Sequence, residues 1–538
     1  MGFKLANYAK KLPVGLSAIV YRNDLGNMHE EVVRSLKLNR DLGKMLKQGI
    51  ELNKPIKIGW SRDGEPIPKK GEMGLAPALP NKGRVRILGD LGPMNAILCQ
   101  GGTFSLEGTA GDFHAAWNNG GHHVIERKVG EHIGHGMIDG KIVARDGCGK
   151  FAGSSLKGGT LIIRGDAGSQ LGAGMEGGTI LVVGDVGDSI GSRMTGGRIL
   201  VSGRCPKPGE GAKTITLSKN EINEFNENLD DDLLKISDDV ICIVADEDVE
   251  ISSLKPNKTS IGDWSDITIV PEVNTKRLVE GQTLDTIVVL GGEHIPSLED
   301  SIESIGLDYP HIFESPKSIK NFSSIVTSKP NNSDFLIINQ ENIQKAYSEI
   351  PNAAGIIVDL SSMPAMTPPV LDGLLIAIRA ISLRLIPILL RDGLGRVNNL
   401  HTFGKNHPIQ GVIVDLVDIS GLHAASCLPK IGRSIIESKI DNSSCPTFIS
   451  IPWTASSSDI LIARGCGAAG LISSGEKDLK ELSINIHNEL RGWLEEIGID
   501  SIEKIGRKHL RANSEAAAAL SGIRLAGYDR ALPMWFSQ

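Results

Sequence analysis

Aromatic residues are scarce in this 538-residue chain, at only 4%, while glycine reaches 63 residues. A core built from such material must pack aliphatic side chains closely around many bare backbones. No excess of basic charge is present either. With 57 Lys and Arg against 64 Asp and Glu, the formal net charge is -7, which offers no electrostatic footprint for nucleic acid. The seven cysteines (99, 148, 205, 242, 427, 445 and 466) include no CxxC pair. Scattered thiols fit a reducing compartment, and the opening "MGFKLANYAKKLPVG" has no continuous apolar run of a secretory signal, so a cytoplasmic protein is expected. The most apolar window, "GLLIAIRAISLRLIPILL", is interrupted by Arg379, Arg384 and Pro387 and reads as a buried helix followed by a strand, so no membrane partner is expected.

What the chain does have is a glycine pattern. Gly172-x-Gly174-x-x-Gly177 resembles a dinucleotide fingerprint, but that motif needs a strand before it and a helix after it. Here the β-branched run Thr179–Val183 follows, and counting supplies another explanation. Gly83, Gly102, Gly121, Gly140, Gly159, Gly178 and Gly197 recur every 19 residues. Gly92, Gly111, Gly130, Gly149, Gly168 and Gly187 form a second column, and Gly134, Gly153, Gly172 and Gly191 a third. Apolar columns keep the same phase. Val85, Phe104, Ile142, Leu161, Ile180 and Ile199 share one position, which His123 interrupts; Ile87, Leu106, Ile125, Ala144, Ile163, Val182 and Val201 share another. Ile133, Ala152, Leu171 and Ile190 form a further inward column. A fixed period of this kind marks a solenoid. Nineteen residues are too few for a helical pair and suit short strands joined by glycine corners, which predicts a right-handed parallel β-helix over residues 81–215. Six or seven coils at ~4.8 Å each would give a cylinder about 30 Å long.

The flanking regions read differently. Residues 1–80 form an N-terminal cap region, with "HEEVVRSLKLNRDLGKMLKQGI" predicted as a helix from Val33, Leu36, Leu38, Leu42, Met45 and Leu46. Ten acidic residues against the single Lys235 lie between Glu227 and Glu250, so residues 216–330 read as an acidic linker and a small, partly mobile irregular region, with "DTIVVLGG" as a strand. Over residues 331–538, "FLIIN", "GIIVDL", "LIPILLR", "GVIVDL", "PTFISI" and "GLISS" read as strands alternating with helical stretches. That order predicts an α/β domain with a parallel sheet or a partial barrel, followed by the amphipathic helix "LKELSINIHNELRGWLEEIG" and a helical tail. The fold class is therefore multidomain α+β.

Four segments, "GTAGDFHAAWNNGG", "GEHIGHGMIDG", "GDAGSQLGAGMEGG" and "GDVGDSIGSRMTGG", resemble the GXGXG domain shared by the glutamate synthase large chain and one of the subunits of formylmethanofuran dehydrogenase. The resemblance implies a structural and docking role. Further on, "SSSDILIARGCGAAGLISSG" resembles the last phosphate-binding strand–loop–helix of an FMN barrel. "INIHNELRGWLEEIGIDSIEKIGRKHL" is similar to the helix and region that follow that barrel in glutamate synthases. Pro452 and Trp453 stand where that family has a glycine pair, its three-cysteine iron–sulfur cluster is absent, and the strands are too few for a whole barrel. The resemblance thus implies a reduced FMN-type domain without flavin and without iron–sulfur. The expected protein is a structural or channelling subunit of an amidotransferase or oxidoreductase complex in nitrogen metabolism, with glutaminase-like or flavin-containing chains, or copies of itself, as partners. The alternatives are a self-contained FMN oxidoreductase, a formylmethanofuran-dehydrogenase-like subunit and a non-catalytic scaffold.

No catalytic residue can be assigned from sequence, and no metal site is expected. His114, His122, His123, His132 and His135 cluster in sequence, but column arithmetic stacks His114 on Ile133 and His123 between Phe104 and Ile142, as core histidines with hydrogen-bond partners. Asp359 and Asp415 end two similar strands, where α/β sheets bind ligands, or else cap the segments that follow. Gly393, Gly395 and Arg396 in "RDGLGR" are the anion-loop candidates, with a plain glycine turn as the alternative. Ser456, Ser457 and Ser458 are placed to cap a helix carrying Asp459 in its first turn.

Overall fold

The computed structural model describes residues 29–60, 71–227, 229, 234–249, 262–271, 287–291, 311–315, 323–416, 423–440, 445–474 and 479–528. Two parallel sheet systems dominate a mixed α/β architecture. The first holds β1 (Ile56–Ile58), β2 (Arg84–Leu88), β3 (Thr103–Glu107), β4 (Asn119–Ile125), β5 (Asp139–Ala144), β7 (Thr160–Ile163), β9 (Thr179–Val182) and β10 (Arg198–Val201). Between β2 and β10 the register repeats the 19-residue period: Val85 lies beside Phe104, Phe104 beside His123, His123 beside Ile142, and so on to Ile180 beside Ile199. A second wall stacks in the same step, through β6 (Gly147–Cys148), β8 (Asp166–Ala167) and the bridges Ala110–Val129, Val129–Cys148 and Ala167–Val186. On a third side the amides of Phe113, His132, Phe151 and Gln170 donate to the carbonyls of Glu131, Lys150, Ser169 and Asp188 in the next unit, and all four donors have positive φ. The inward columns are fully buried, Ile163 and Val182 among them.

Both ends of this stack are covered. Helix α1 (Glu30–Glu51) and β1 lie over the first unit, with Leu38 and Leu42 joining Leu75 and Leu79 in its core, while Val33 is exposed. At the far end β12 (Ile241–Ala245) pairs antiparallel with β10 and with β11 (Ala212–Ile215), which ends the parallel series. The acidic stretch also covers a side: Leu234, Ile236 and Val240, with Ile222 of α2 (Lys219–Glu227), bury the outward column Val143, Ile162, Leu181 and Leu200.

Gly178 illustrates why glycine recurs at the corners. Its φ is +82°, and an added Cβ would lie 2.8 Å from the Gly159 carbonyl oxygen and 2.9 Å from the Gly158 carbonyl carbon. We expect Gly178→Val to cost about 3 kcal/mol or more. A thermal melt unchanged from the native protein would contradict this.

After the antiparallel pair β13 (Ile267–Ile269) and β23 (Leu510–Ala512), the second system comprises β14 (Ile287–Gly291), β15 (His311–Ser315), β16 (Ser323–Val326), β17 (Phe335–Ile338), β18 (Gly355–Asp359), β19 (Ile388–Gly393), β20 (Gly411–Asp415), β21 (Thr447–Ile451) and β22 (Gly470–Ser474). These nine strands pair in parallel in chain order, and β22 returns to pair with β14, so the sheet curls into a closed barrel. The six strands expected after residue 331 are all present. The expectation of too few strands is corrected by β14, which is the strand expected at "DTIVVLGG", and by β15 and β16, which come from the stretch read as linker and irregular region. Most of residues 250–322, including most of what was expected to be mobile, lies outside the described residues. Ile325, Phe335, Ile337, Ile357, Leu389, Ile413, Phe448 and Ile472 fill the barrel. Around it run α3 (Ile343–Ala346), α4 (Pro368–Ser382), α5 (Val397–Asn406), α6 (Cys427–Ser438), α7 (Ser457–Gly465), α8 (Leu479–Ile497) and α9 (Glu515–Ser521). No described helix is long and apolar enough to cross a membrane.

Candidate functional site

Side chains two residues beyond the apolar barrel filling face the same interior, because strand residues alternate between faces. At the carboxyl ends of β17 to β21 that position falls on Asn339, Asp359, Arg391, Asp415 and Ser450, where parallel barrels place their chemistry. Arg391 donates from Nε (3.0 Å) and Nη2 (2.8 Å) to Asp415 Oδ2, and from Nη2 to Ser450 Oγ at 3.3 Å. Asp359 accepts from the Ser361 amide at 3.1 Å and hydroxyl at 2.7 Å, capping its own turn. Asn339 likewise accepts from the amides of Glu341 and Asn342. Of the two aspartates singled out in the sequence, one caps and the other is ion-paired. The ion-pair partner, Arg391, and Ser450 were missed; the signal was Arg391 two residues after the inward Leu389.

The glycine loop at the end of β19 meets a carboxylate of its own. Asp392 accepts the Gly393 amide at 2.8 Å and pairs with Arg396 Nη1 at 3.3 Å, while Gly395 has open space around it.

The turn between β21 and α7 supplies its own capping groups. Ser456 caps α7 through the Asp459 amide, and Asp459 Oδ2 reciprocates with the Ser456 amide at 2.9 Å, a complete capping box. Trp453 Nε1 also reaches Asp459 Oδ2 at 3.4 Å, and its ring meets Trp264 edge-on at 5.4 Å. Burial raises the Asp459 carboxyl above its usual range, and the nearby charge of Asp263 adds to the effect.

In the stack, His123 sits between Phe104 and Ile142 as the columns require, with Nε2 3.0 Å from Asn118 Nδ2. His114 is fully buried, but neither of its ring nitrogens has a partner, nor has Nδ1 of His123, so the expected hydrogen bonds of His114 are not formed. Burial pushes the His114 pKa down to about 3 and that of His123 to about 4. His132 is sandwiched between Phe113 and Phe151. His135 reaches out of the stack to Gln340, which follows β17. Among the described residues no group of three or more His, Cys, Asp or Glu could hold a metal ion.

No family model and no curated protein matches the chain. Among solved structures, a mutant of the active chimera of (S)-mandelate dehydrogenase aligns over 46% of this chain and 88% of its own, at 11% identity and a TM-score of 0.31. A likeness at that level carries no argument about this chain.

Proposed function

We propose that the chain is a glutamate-synthase-related subunit: a right-handed parallel β-helix of the GXGXG kind joined to an FMN-type barrel that works without flavin. It serves as a structural or channelling component of a cytoplasmic amidotransferase or oxidoreductase complex, beside glutaminase-like or flavin-containing chains. The observation that carries this reading is Asp459. A helix amino terminus after one of the last barrel strands attracts a cofactor phosphate through free amides and a positive dipole. In this chain those features face a buried carboxylate, a capping serine and an indole. Further support comes from the barrel mouth, where Asn339, Asp359, Arg391, Asp415 and Ser450 have partners within the chain.

The rival reading, a self-contained oxidoreductase, draws on the same mouth, since Arg391 and two aspartates at strand ends could turn towards a substrate. Purified full-length protein, dialysed against FMN, separates the two. We expect a colourless protein with no saturable flavin binding and no glutamate synthase activity alone. A yellow preparation that releases fluorescent flavin on denaturation would overturn the proposal.

A further inference from the structure

The stack and the barrel share one apolar core, in which Met94, Ile97, Phe113 and Trp117 meet residues of the barrel and its helices. Across that contact runs a chain of polar side chains. Trp117 Nε1 lies 3.2 Å from Gln340 Oε1, Gln340 Nε2 lies 3.1 Å from His135 Nε2, His135 Nδ1 lies 2.8 Å from Ser154 Oγ, and Ser154 Oγ lies 3.1 Å from His132 Nδ1. Gln344 adds a bond from Nε2 to the Gly136 carbonyl at 2.6 Å.

The direction of every bond in the chain follows from one group. An indole N–H can only donate, so the Gln340 oxygen must face Trp117 and its amide nitrogen must face His135. His135 Nε2 is then the bare acceptor, and its proton sits on Nδ1, where it donates to Ser154. The Ser154 hydroxyl proton passes on to His132 Nδ1.

We infer that this one-way chain is an acid-released joint between stack and barrel: a proton on His135 Nε2 reverses one bond and opens the contact at the barrel rim. A protonated His135 turns an N–H towards the Gln340 amide N–H. Flipping the Gln340 amide only moves the conflict, because its NH2 would then face the indole N–H. Either arrangement leaves two donors in contact in a partly buried place, beside the fully buried His135 ring, which favours opening of the joint when the proton enters. Ionisable groups on the surrounding segments include Glu131 and His132 on its own unit, Asp112 and His114 on the unit before, Lys150 on the unit after, and Asp359, Glu341 and Lys345 on the barrel side. Of these, His132 alone bears on the charge of His135, and it opposes protonation. Burial is the larger cause and holds His135 down to about 3, against an ordinary 6.5.

Hydrogen exchange on the full-length protein tests the joint. Trp117 donates its amide to the His135 carbonyl and Gly136 donates to that of Ser154, so both amides report on this contact. After correction for intrinsic rates, peptides covering Trp117, Gly136 and Gln340–Ala346 are expected to lose protection about tenfold per pH unit below 6.5, for each histidine freed. His135→Gln should make that slope shallower by tenfold per unit. Gln340→Leu should lower protection of the same peptides already at neutral pH. In both variants the peptides over β9 and β10 should stay protected, which shows that the stack is folded. Equal slopes in His135→Gln and the native protein, or unchanged neutral protection in Gln340→Leu, would each overturn the joint.

Discussion

Replacing Gly165 with alanine is expected to unfold the stack, at a cost above about 4 kcal/mol and a fall in melting temperature of more than about 8 °C. The reason is close approach. A Cβ at Gly165 would lie 1.4 Å from the Asp146 carbonyl oxygen and 2.3 Å from its carbon. Both obstacles are backbone, and the neighbouring units are held by bonds such as Arg145 to Ile125 and Arg164 to Ala144, so no rotamer change relieves the clash. One methyl group must therefore push neighbouring units apart. Gly395→Ala is the matched control: nothing lies within 4 Å of its added Cβ, and a change within about 0.5 kcal/mol is expected. Calorimetry on the two variants decides the matter; similar melting curves would remove the close-approach argument.

Acid should destabilise the stack, and His114 should account for much of the loss. In the unfolded chain its imidazole takes a proton near 6.5, whereas in the folded core it resists until about 3. Between those values the unfolded state binds the extra proton, so stability is complete above pH 6.5 and falls as the pH drops towards 3. The whole window corresponds to at most ~5 kcal/mol, and the span from pH 7 to 5 to about 2 kcal/mol. His123, held down to about 4, acts in the same direction. His114→Ile matches the residue one period on, Ile133, and removes two buried nitrogens that have no partner. It should add about 1–3 kcal/mol at neutral pH, and its urea midpoint should fall less than the native one between pH 7 and 5. Equal losses over that interval would show that His114 is not the acid-sensitive group.

Much of the stack is legible in the sequence because its contacts repeat. Each unit meets the next one 19 residues on, so the apolar columns appear in order and the register can be counted from residue numbers alone. The capping of α7 by Ser456 is legible for a similar reason, since the partners lie three residues apart. The same counting could not show which glycines stand against backbone. Gly165 shares its column with Gly89, Gly108, Gly184 and Gly203 but also with Arg127 and Asp146, so the column alone does not demand glycine, and only the stacked arrangement sets Gly165 against the Asp146 carbonyl.

The barrel was harder to read. β14 and the last six strands each carry an apolar run that shows in the sequence, but β15 (His311–Ser315) and β16 (Ser323–Val326) are mixed in polarity, and only the pairing from β14 through β17 and back to β22 shows them as barrel strands. The pairing of Arg391 with Asp415 and Ser450 spans three strands, and no local pattern announces it. The joint offers a fainter sign. Trp117 interrupts a column that continues as Gly136, Ser155 and Gly174, and a large side chain on an outer corner calls for a partner.

By itself, then, the sequence determined the 19-residue period, the inward columns, seven of the barrel's parallel strands and the capped turn that holds Asp459, because these depend on spacing along one chain. Barrel closure, the direction of the hydrogen bonds from Trp117 to His132, and the lack of partners for His114 were decided by tertiary structure alone. They arise where segments far apart in sequence meet, and there the position of each neighbouring atom, rather than residue type, sets the energy.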